Sequence, residues 1–216
     1  MAQKGLTREI VVPAALALLD EVGLDGLNMR ALAARLEVKA PALYWHFSSK
    51  QDLVDEMATA LWREVQAGAD FPADESWPDR MFRFASSLRS TLLAHRDGAR
   101  LFSGTYLTDV SILEAQEVPL AALVSGGMSL ETAVEISNVL YSFTVGSTIE
   151  EQSVSQSFAV DDRYDLANRE QRIDPERFPF ITAAGRLSFP EPGVRFERIV
   201  RRLIASFADW DRRAID

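Results

Sequence analysis

The chain has 216 residues, 47% hydrophobic and 25% charged, with a formal net charge of −9 and no cysteine. That is the make-up of an ordinary water-soluble protein, and it excludes disulfides, thiolate catalysis and cysteine-based zinc sites. No apolar run approaches the ~18 residues that span a bilayer, and the N-terminus lacks the apolar core of a signal peptide, so a cytoplasmic protein without a membrane partner is expected.

Thr7 is a plausible N-cap, followed by Ile10, Ala14, Leu18 and Val22 at helical spacing. Pro13 inside this pattern requires a later start or a bend. Gly23 should end the helix as a left-handed cap. Two short helical patterns follow, Met29 to Leu36 and Ala40 to Phe47, separated by Glu37, Val38 and Lys39. That spacing is the pattern of a helix-turn-helix. With Leu43 and Phe47 turned inward, Ala40, Pro41, Tyr44 and His46 cannot all be buried. Lys39 and Lys50 flank the second helix. Ser48 and Ser49 add donors beside Lys50 that suit phosphate oxygens. The bland alternative leaves Tyr44, Trp45 and His46 half-buried beneath longer helices.

Ser49 and Asp52 resemble a capping box that opens a helix from Lys50 to about Ala67. Residues 68–76 read as a loop. Ser76, Pro78 and Asp79 start a helix that reaches His95. A short helix is expected over 97–102, and a longer one from Val110 to Val124, kinked at Pro119 and ended by Gly126-Gly127. Ser129 caps a helix from Leu130 to about Glu151 that is apolar on more than one side. Residues 153–175 read as loop and Glu176 to Ser188 as a weak helix. From Arg195 to Asp211, Phe196, Ile199, Val200, Leu203, Ile204, Phe207 and Trp210 recur at steps of three and four. The fold class is all-α: an N-terminal three-helix domain over 1–49 and a larger helical domain over 50–216.

Charge is uneven. Residues 1–50 carry six Lys/Arg against five acids, and the remainder 17 against 27. A locally basic head on an acidic body can meet phosphates if only the head faces them. Enzyme chemistry finds little support. There are two histidines, His46 and His95, with no metal-ligand spacing, no phosphate-binding glycine loop and no nucleophile elbow. Acidic pairs such as Glu150-Glu151 and Asp161-Asp162 are more often solvated faces than catalytic pairs. Neither cofactor nor metal is expected.

Residues 7–55 resemble the DNA-binding domain of the tetracycline-repressor (TetR) family of bacterial regulators. The carrying motifs are Ala-Leu-x-Leu-Leu-Asp-Glu-Val-Gly-Leu-Asp-Gly-Leu at 15–27, Arg-x-Leu-Ala at 30–33 and Ala-Leu-Tyr-Trp-His-Phe at 42–47, followed by Lys50. Glu75-Ser76-Trp77, His95-Arg96-Asp97-Gly98-Ala99 with Gly104-Thr105, Ser129-Leu130-Glu131, and Phe143-Thr144-x-Gly146 with Glu150-x-Gln152 resemble the ligand-binding domain of the tetracycline-repressor subgroup. The likeness fades after Gln152.

The resemblance implies a homodimer whose second helices enter successive major grooves of a palindromic, double-stranded operator. It implies that Arg30 reaches a base edge, that Pro41 and Ala42 touch thymine methyls, that Tyr44 and Lys50 meet phosphates, and that Lys39, Ala40, Trp45 and His46 complete the face. Ala40 and Ala42 stand where the family often has Gln or Thr, which leaves Arg30 as the main base reader. The polar positions that hold tetracycline and magnesium in the family match Gln66, Phe102, Phe84 and Val118 here, whereas Thr105 and Glu150 are kept. A different, largely hydrophobic small-molecule effector is implied, held by these residues with Met57, Leu61, Leu88 and Phe143. Leu140, Phe196, Ile199, Leu203 and Phe207 are the implied dimer contacts. The reading is a ligand-responsive regulator, most simply a repressor. The alternative is a small-molecule carrier with a vestigial helix-turn-helix, and an enzyme of unrecognised type is the remote third.

Overall fold

The computed structural model describes residues 5–68, 75–158, 165–188 and 191–213. Among them are eleven helices and no strand: α1 Arg8–Gly26, α2 Met29–Arg35, α3 Ala40–Tyr44, α4 Lys50–Gly68, α5 Trp77–Leu93, α6 Gly98–Phe102, α7 Val110–Ser125, α8 Leu130–Phe158, α9 Leu166–Glu170, α10 Pro179–Ser188 and α11 Pro192–Arg213. No helix of the described residues is long and apolar enough to cross a membrane.

The first helix starts at Arg8, and Pro13 lies within it on an exposed face, where water can satisfy the carbonyl that loses its partner. Its buried stripe is Val11, Ala15, Leu18 and Leu19 rather than the expected Ile10, Ala14, Leu18 and Val22, because α1 is apolar on two sides and tertiary packing selects one. Gly23 does break the helix, but at φ 73°, ψ 174°. That is not the left-handed cap expected but a region open essentially to glycine alone. Asn28 caps α2 by accepting from the Ala31 amide at 2.9 Å. The turn to α3 passes through Glu37 at φ 55°, and the Val38 amide reaches back to the Ala33 carbonyl at 2.9 Å.

The second helix of the motif is shorter than expected. It ends at Tyr44, and the His46 and Phe47 amides both close on the Leu43 carbonyl. Ser49 caps α4, accepting from the Asp52 amide at 3.0 Å, while Asp52 accepts from the Ser48 amide at 2.7 Å and the Ser48 hydroxyl at 3.1 Å. The Ser48 donors expected to face phosphates are therefore spent within the chain.

Head and body share one core. Leu19, Leu32, Leu43 and Phe47 of the head are contiguous with Leu53, Met57 and Leu61 of α4, Leu88 and Leu92 of α5, and Leu101 and Phe102 of α6. A second core joins Met81 and Ala85 of α5 to Ile136 and Leu140 of α8 and to Phe196, Val200, Ile204 and Phe207 of α11. Trp210 falls outside the residues whose side chains are described, as do Asp161 and Asp162.

The eighth helix passes the expected stop at Glu151 and reaches Phe158. Its added turns carry their own partners. Buried Gln152 donates to the Leu92 and His95 carbonyls at 2.8 and 2.7 Å and accepts from the Ala99 amide at 3.1 Å. Gln156 donates to Asp97 at 3.2 Å. Gln152 thus satisfies the backbone of the α5–α6 turn and Gln156 its Asp97 carboxylate, a use for polar residues that helical periodicity does not signal. The expected loop also contains α9, which pairs with α10 through Arg186 and Glu170 at 2.7 Å, and α10 starts at Pro179 rather than Glu176. Helix α7 continues through Pro119 and is closed by Gly126 and by Gly127 at φ 97°.

Candidate nucleic-acid interface and ligand cavity

Leu43 and Phe47 are fully buried and fix α3 against the core of the head. Their neighbours are thereby forced outward. Tyr44 is 53% and Trp45 88% exposed, while Lys39, Pro41 and Lys50 are exposed and Ala40, Ala42 and His46 half-buried. Arg30, on the exposed side of α2, has no partner among the described residues. Lys39 likewise has none, whereas the two other arginines of the head are engaged. Arg35 pairs with Glu21 at 2.7 Å, and Arg8 pairs with Glu56 at 3.1 Å. The Lys50 ammonium sits 3.5 Å from the Leu24 carbonyl, at the rim. The surface thus combines unpaired cations with large, solvent-facing aromatics, a costly arrangement for a surface with nothing to touch.

The head is clasped from below by the α5–α6 turn. His95 meets Asp20 through Nδ1 at 3.1 Å, the Arg96 amide donates to Asp20 at 3.0 Å, and the Arg96 side chain donates to the Glu21 carbonyl at 2.9 Å. Asp97, held at φ 58°, accepts from the Leu24 amide at 2.9 Å. Burial alone would raise the Asp97 carboxyl. The Leu24 amide, Gln156 and Arg100 outweigh it and hold it below the usual range.

Between α4, α5, α7 and α8 lies a cavity of about 420 Å³. Trp62, Val65 and Gln66 of α4, Met81 and Phe84 of α5, Gln116 and Val118–Leu120 with Leu123 of α7, and Ser137, Asn138 and Tyr141 of α8 form its lining. Trp62 stacks on Phe84 with centroids 6.0 Å apart and on Tyr141 at 6.4 Å. Burial pushes the Tyr141 hydroxyl pKa up, so it stays protonated. Gln66 donates to the Ile112 carbonyl at 3.3 Å. Gln116 and Asn138 have no hydrogen-bond partner among the described residues. No lining residue is acidic or basic other than Tyr141.

Of the ligand residues named from the sequence, Gln66, Phe84 and Val118 line the cavity. Met57, Leu61, Leu88 and Phe102 are buried in the first core, and Phe143 packs against Phe196 in the second. The Thr105 hydroxyl donates to the Phe102 carbonyl at 2.8 Å, and Glu150 is exposed. Trp62, Gln116, Asn138 and Tyr141 were missed. Trp62 lies one position beyond Leu61 on the same helix, and the turn that faces the cavity emerges only once α4 is packed. Of the residues named for a dimer, Leu140, Phe196 and Phe207 lie in the protomer's own core, whereas Ile199 and Leu203 are half-buried.

Residues 11–57 match the family model for "Bacterial regulatory proteins, tetR family", and residues 71–205 match "Tetracyclin repressor-like, C-terminal domain". The tetracycline repressor protein class A from transposon 1721 of Escherichia coli is 43% identical over 143 residues, 66% of either chain. A possible TetR family transcriptional regulator from Streptomyces coelicolor A3(2) superposes with a TM-score of 0.82 at 34% identity, over 97% of this chain and all of that one. ActR of Streptomyces coelicolor, solved in complex with actinorhodin, gives a TM-score of 0.80 at 27% identity over 98% of each chain.

Proposed function

The chain belongs to the TetR family of bacterial transcriptional regulators, with a helix-turn-helix head and a ligand-binding body, and on that premise we propose that it is a repressor that binds a palindromic operator as a homodimer and is released by an uncharged, largely hydrophobic small molecule. The observation that carries the DNA half is the exposure of Arg30, Pro41, Tyr44, Trp45 and Lys50 around a helix whose Leu43 and Phe47 are fully buried. Such a helix is presented rigidly to a major groove. In this reading Arg30 forks onto a guanine, Pro41 and Ala42 contact thymine methyls, Ala40 allows close approach, and Tyr44, Lys50 and Lys39 hold phosphates beside Trp45 and His46.

The effector half rests on the cavity. A lining of neutral side chains with stacked rings favours an aromatic ligand that brings no charge, since an unpaired charge there would be desolvated without compensation. The free amides of Gln116 and Asn138 offer a ketone or hydroxyl its partners. Tetracycline with magnesium fits poorly, because Gln66 and Phe102 stand where the family's drug sensors carry histidines. The half-buried Ile199 and Leu203 on α11 supply apolar surface for a second copy.

The test is a gel shift in low and moderate salt on duplexes selected from a random library. A dimer that retards a palindrome and is competed poorly by random DNA supports the reading. A folded dimer without sequence preference defeats it and favours a ligand carrier.

A further inference from the structure

Glu56 stands on the inner face of α4, 8% exposed, the only charged group among that helix's buried residues and beside one other polar one, Thr59, which lies 3.1 Å from the Thr108 hydroxyl. Its Oε2 accepts from Arg8 at 3.1 Å and from the Thr108 hydroxyl at 2.6 Å, and its Oε1 faces Arg63 at 3.7 Å. The other end of Arg8 donates to the His46 carbonyl at 2.9 Å, with its guanidinium 5.1 Å from the centre of the Phe47 ring. Arg63 in turn donates to Asp109 at 2.7 Å, and Asp109 caps α7 by accepting from the Ser111 amide at 2.9 Å. Later turns of α7, from Gln116 to Leu123, wall the cavity. One unbroken set of polar contacts therefore runs from the helix that walls the cavity to the segment that closes the recognition helix, and Glu56 is its midpoint.

A carboxylate at such a place is costly unless every donor stays in position. An apolar residue would serve packing as well, so stability alone does not account for it. We propose that Glu56 is a positioning residue for operator binding: through Arg8 it fixes the end of the recognition helix, and through Thr108 and the Arg63–Asp109 pair it makes that position depend on the start of α7. This rests on the DNA-binding reading above. When the start of α7 shifts, Glu56 loses donors on the body side. Arg8 then no longer has a fixed acceptor from which to hold the His46 carbonyl, and the recognition helix loses its register on the groove.

Thr108 belongs to the body, so its removal reads the link and not a DNA contact. The measurement is fluorescence anisotropy on an operator selected with the wild-type chain. Thr108→Val and Glu56→Gln are each expected to weaken operator affinity at least about fivefold, the lower range of energetic coupling between sites. Combined, they should be no worse than Glu56→Gln alone, since both interrupt one path. A silent Thr108→Val, or losses that multiply in the double variant, overturns the inference.

Arg8→Lys covers the case in which Glu56→Gln does not fold. It keeps the charge on a partly exposed side chain but cannot reach Glu56 and His46 together. It should cost operator affinity several times more than affinity for random duplex, and equal losses on both also overturn the inference. Absence of sequence-selective binding by the wild-type chain would bring down the DNA-binding reading itself. Selective binding with a silent Thr108→Val brings down the role of Glu56 alone.

Discussion

The Asp97 carboxylate lies 2.8 Å from the place where a β-carbon on Gly23 would stand. Head and body are joined across that gap, because the same carboxylate accepts from the Leu24 amide at 2.9 Å. Gly23→Ala therefore meets two penalties, a φ of 73° and a collision with the clasp. The expected loss is about 2–4 kcal/mol, combining backbone strain with displaced contacts. Thermal unfolding followed by circular dichroism should show a lowered midpoint, and an unchanged midpoint would mean that the clasp yields freely.

Arg30 and Lys50 should fail differently. Removing a bidentate base contact costs about 1–3 kcal/mol and relaxes preference at one operator position. Arg30→Ala should therefore flatten the preference in a library selection. Lys50→Ala should weaken all duplexes alike and lower the slope of log affinity against log salt by about 1. If Arg30→Ala keeps full sequence preference, specificity resides in methyl contacts and DNA shape instead.

The cavity predicts a ligand-class preference. A neutral hydroxyanthraquinone should quench tryptophan fluorescence through Trp62, and its sulfonated analogue should not. Asn138→Leu should weaken the neutral compound by about 0.5–1.5 kcal/mol, the net worth of a hydrogen bond made from an exposed side chain at the cavity mouth. Chelating magnesium should leave the titration unchanged. Tight binding of the sulfonate would contradict the neutral lining.

Asp109 gives a pH dependence. Arg63 first, and the Ser111 contacts next, lower its pKa from 3.8 to about 2. A carboxyl depressed in the folded state stabilises fully above its unfolded value and loses that contribution as the pH falls through the folded one. Its share should therefore disappear between about pH 4 and pH 2. Asp109→Asn should flatten the stability–pH curve in that window and leave it unchanged in shape near neutrality. Urea titrations at pH 2.5 and 6 measure this directly.

Much of the architecture was legible because it rests on short-range signals. Asn28, Ser76 and Ser129 are helix-start residues whose side chains accept from amides two or three positions on, and each does so here. The helix-turn-helix was readable from Leu32, Ala33, Leu43 and Phe47, all of them buried. Long-range polar bonding was not readable. Gln156 reads as a loop residue and Gln152 as the residue just past a helix end, yet the Leu92 and His95 carbonyls bury Gln152 and the Asp97 carboxylate holds Gln156, all in a turn some 60 residues away. Glu56 likewise reads as a surface acid until Arg8 and Thr108 arrive from opposite ends of the first half of the chain. The cavity falls between these cases. Its four helices follow from periodicity, but which faces of α5 and α8 turn toward the cavity depends on how α11 packs against them.

Helix α8 runs unbroken from Ser137 and Tyr141 in the cavity wall to Gln152 and Gln156 beneath the head. Tyr141 and Gln152 are eleven residues apart, about 16 Å at helical rise. The helix has no break along that length, so the two turns belong to one continuous lever. Cavity wall and head are thus connected along α8 as well as α4, and on the ligand-responsive reading proposed above a molecule wedged against Tyr141 would bear on the turn beneath Leu24.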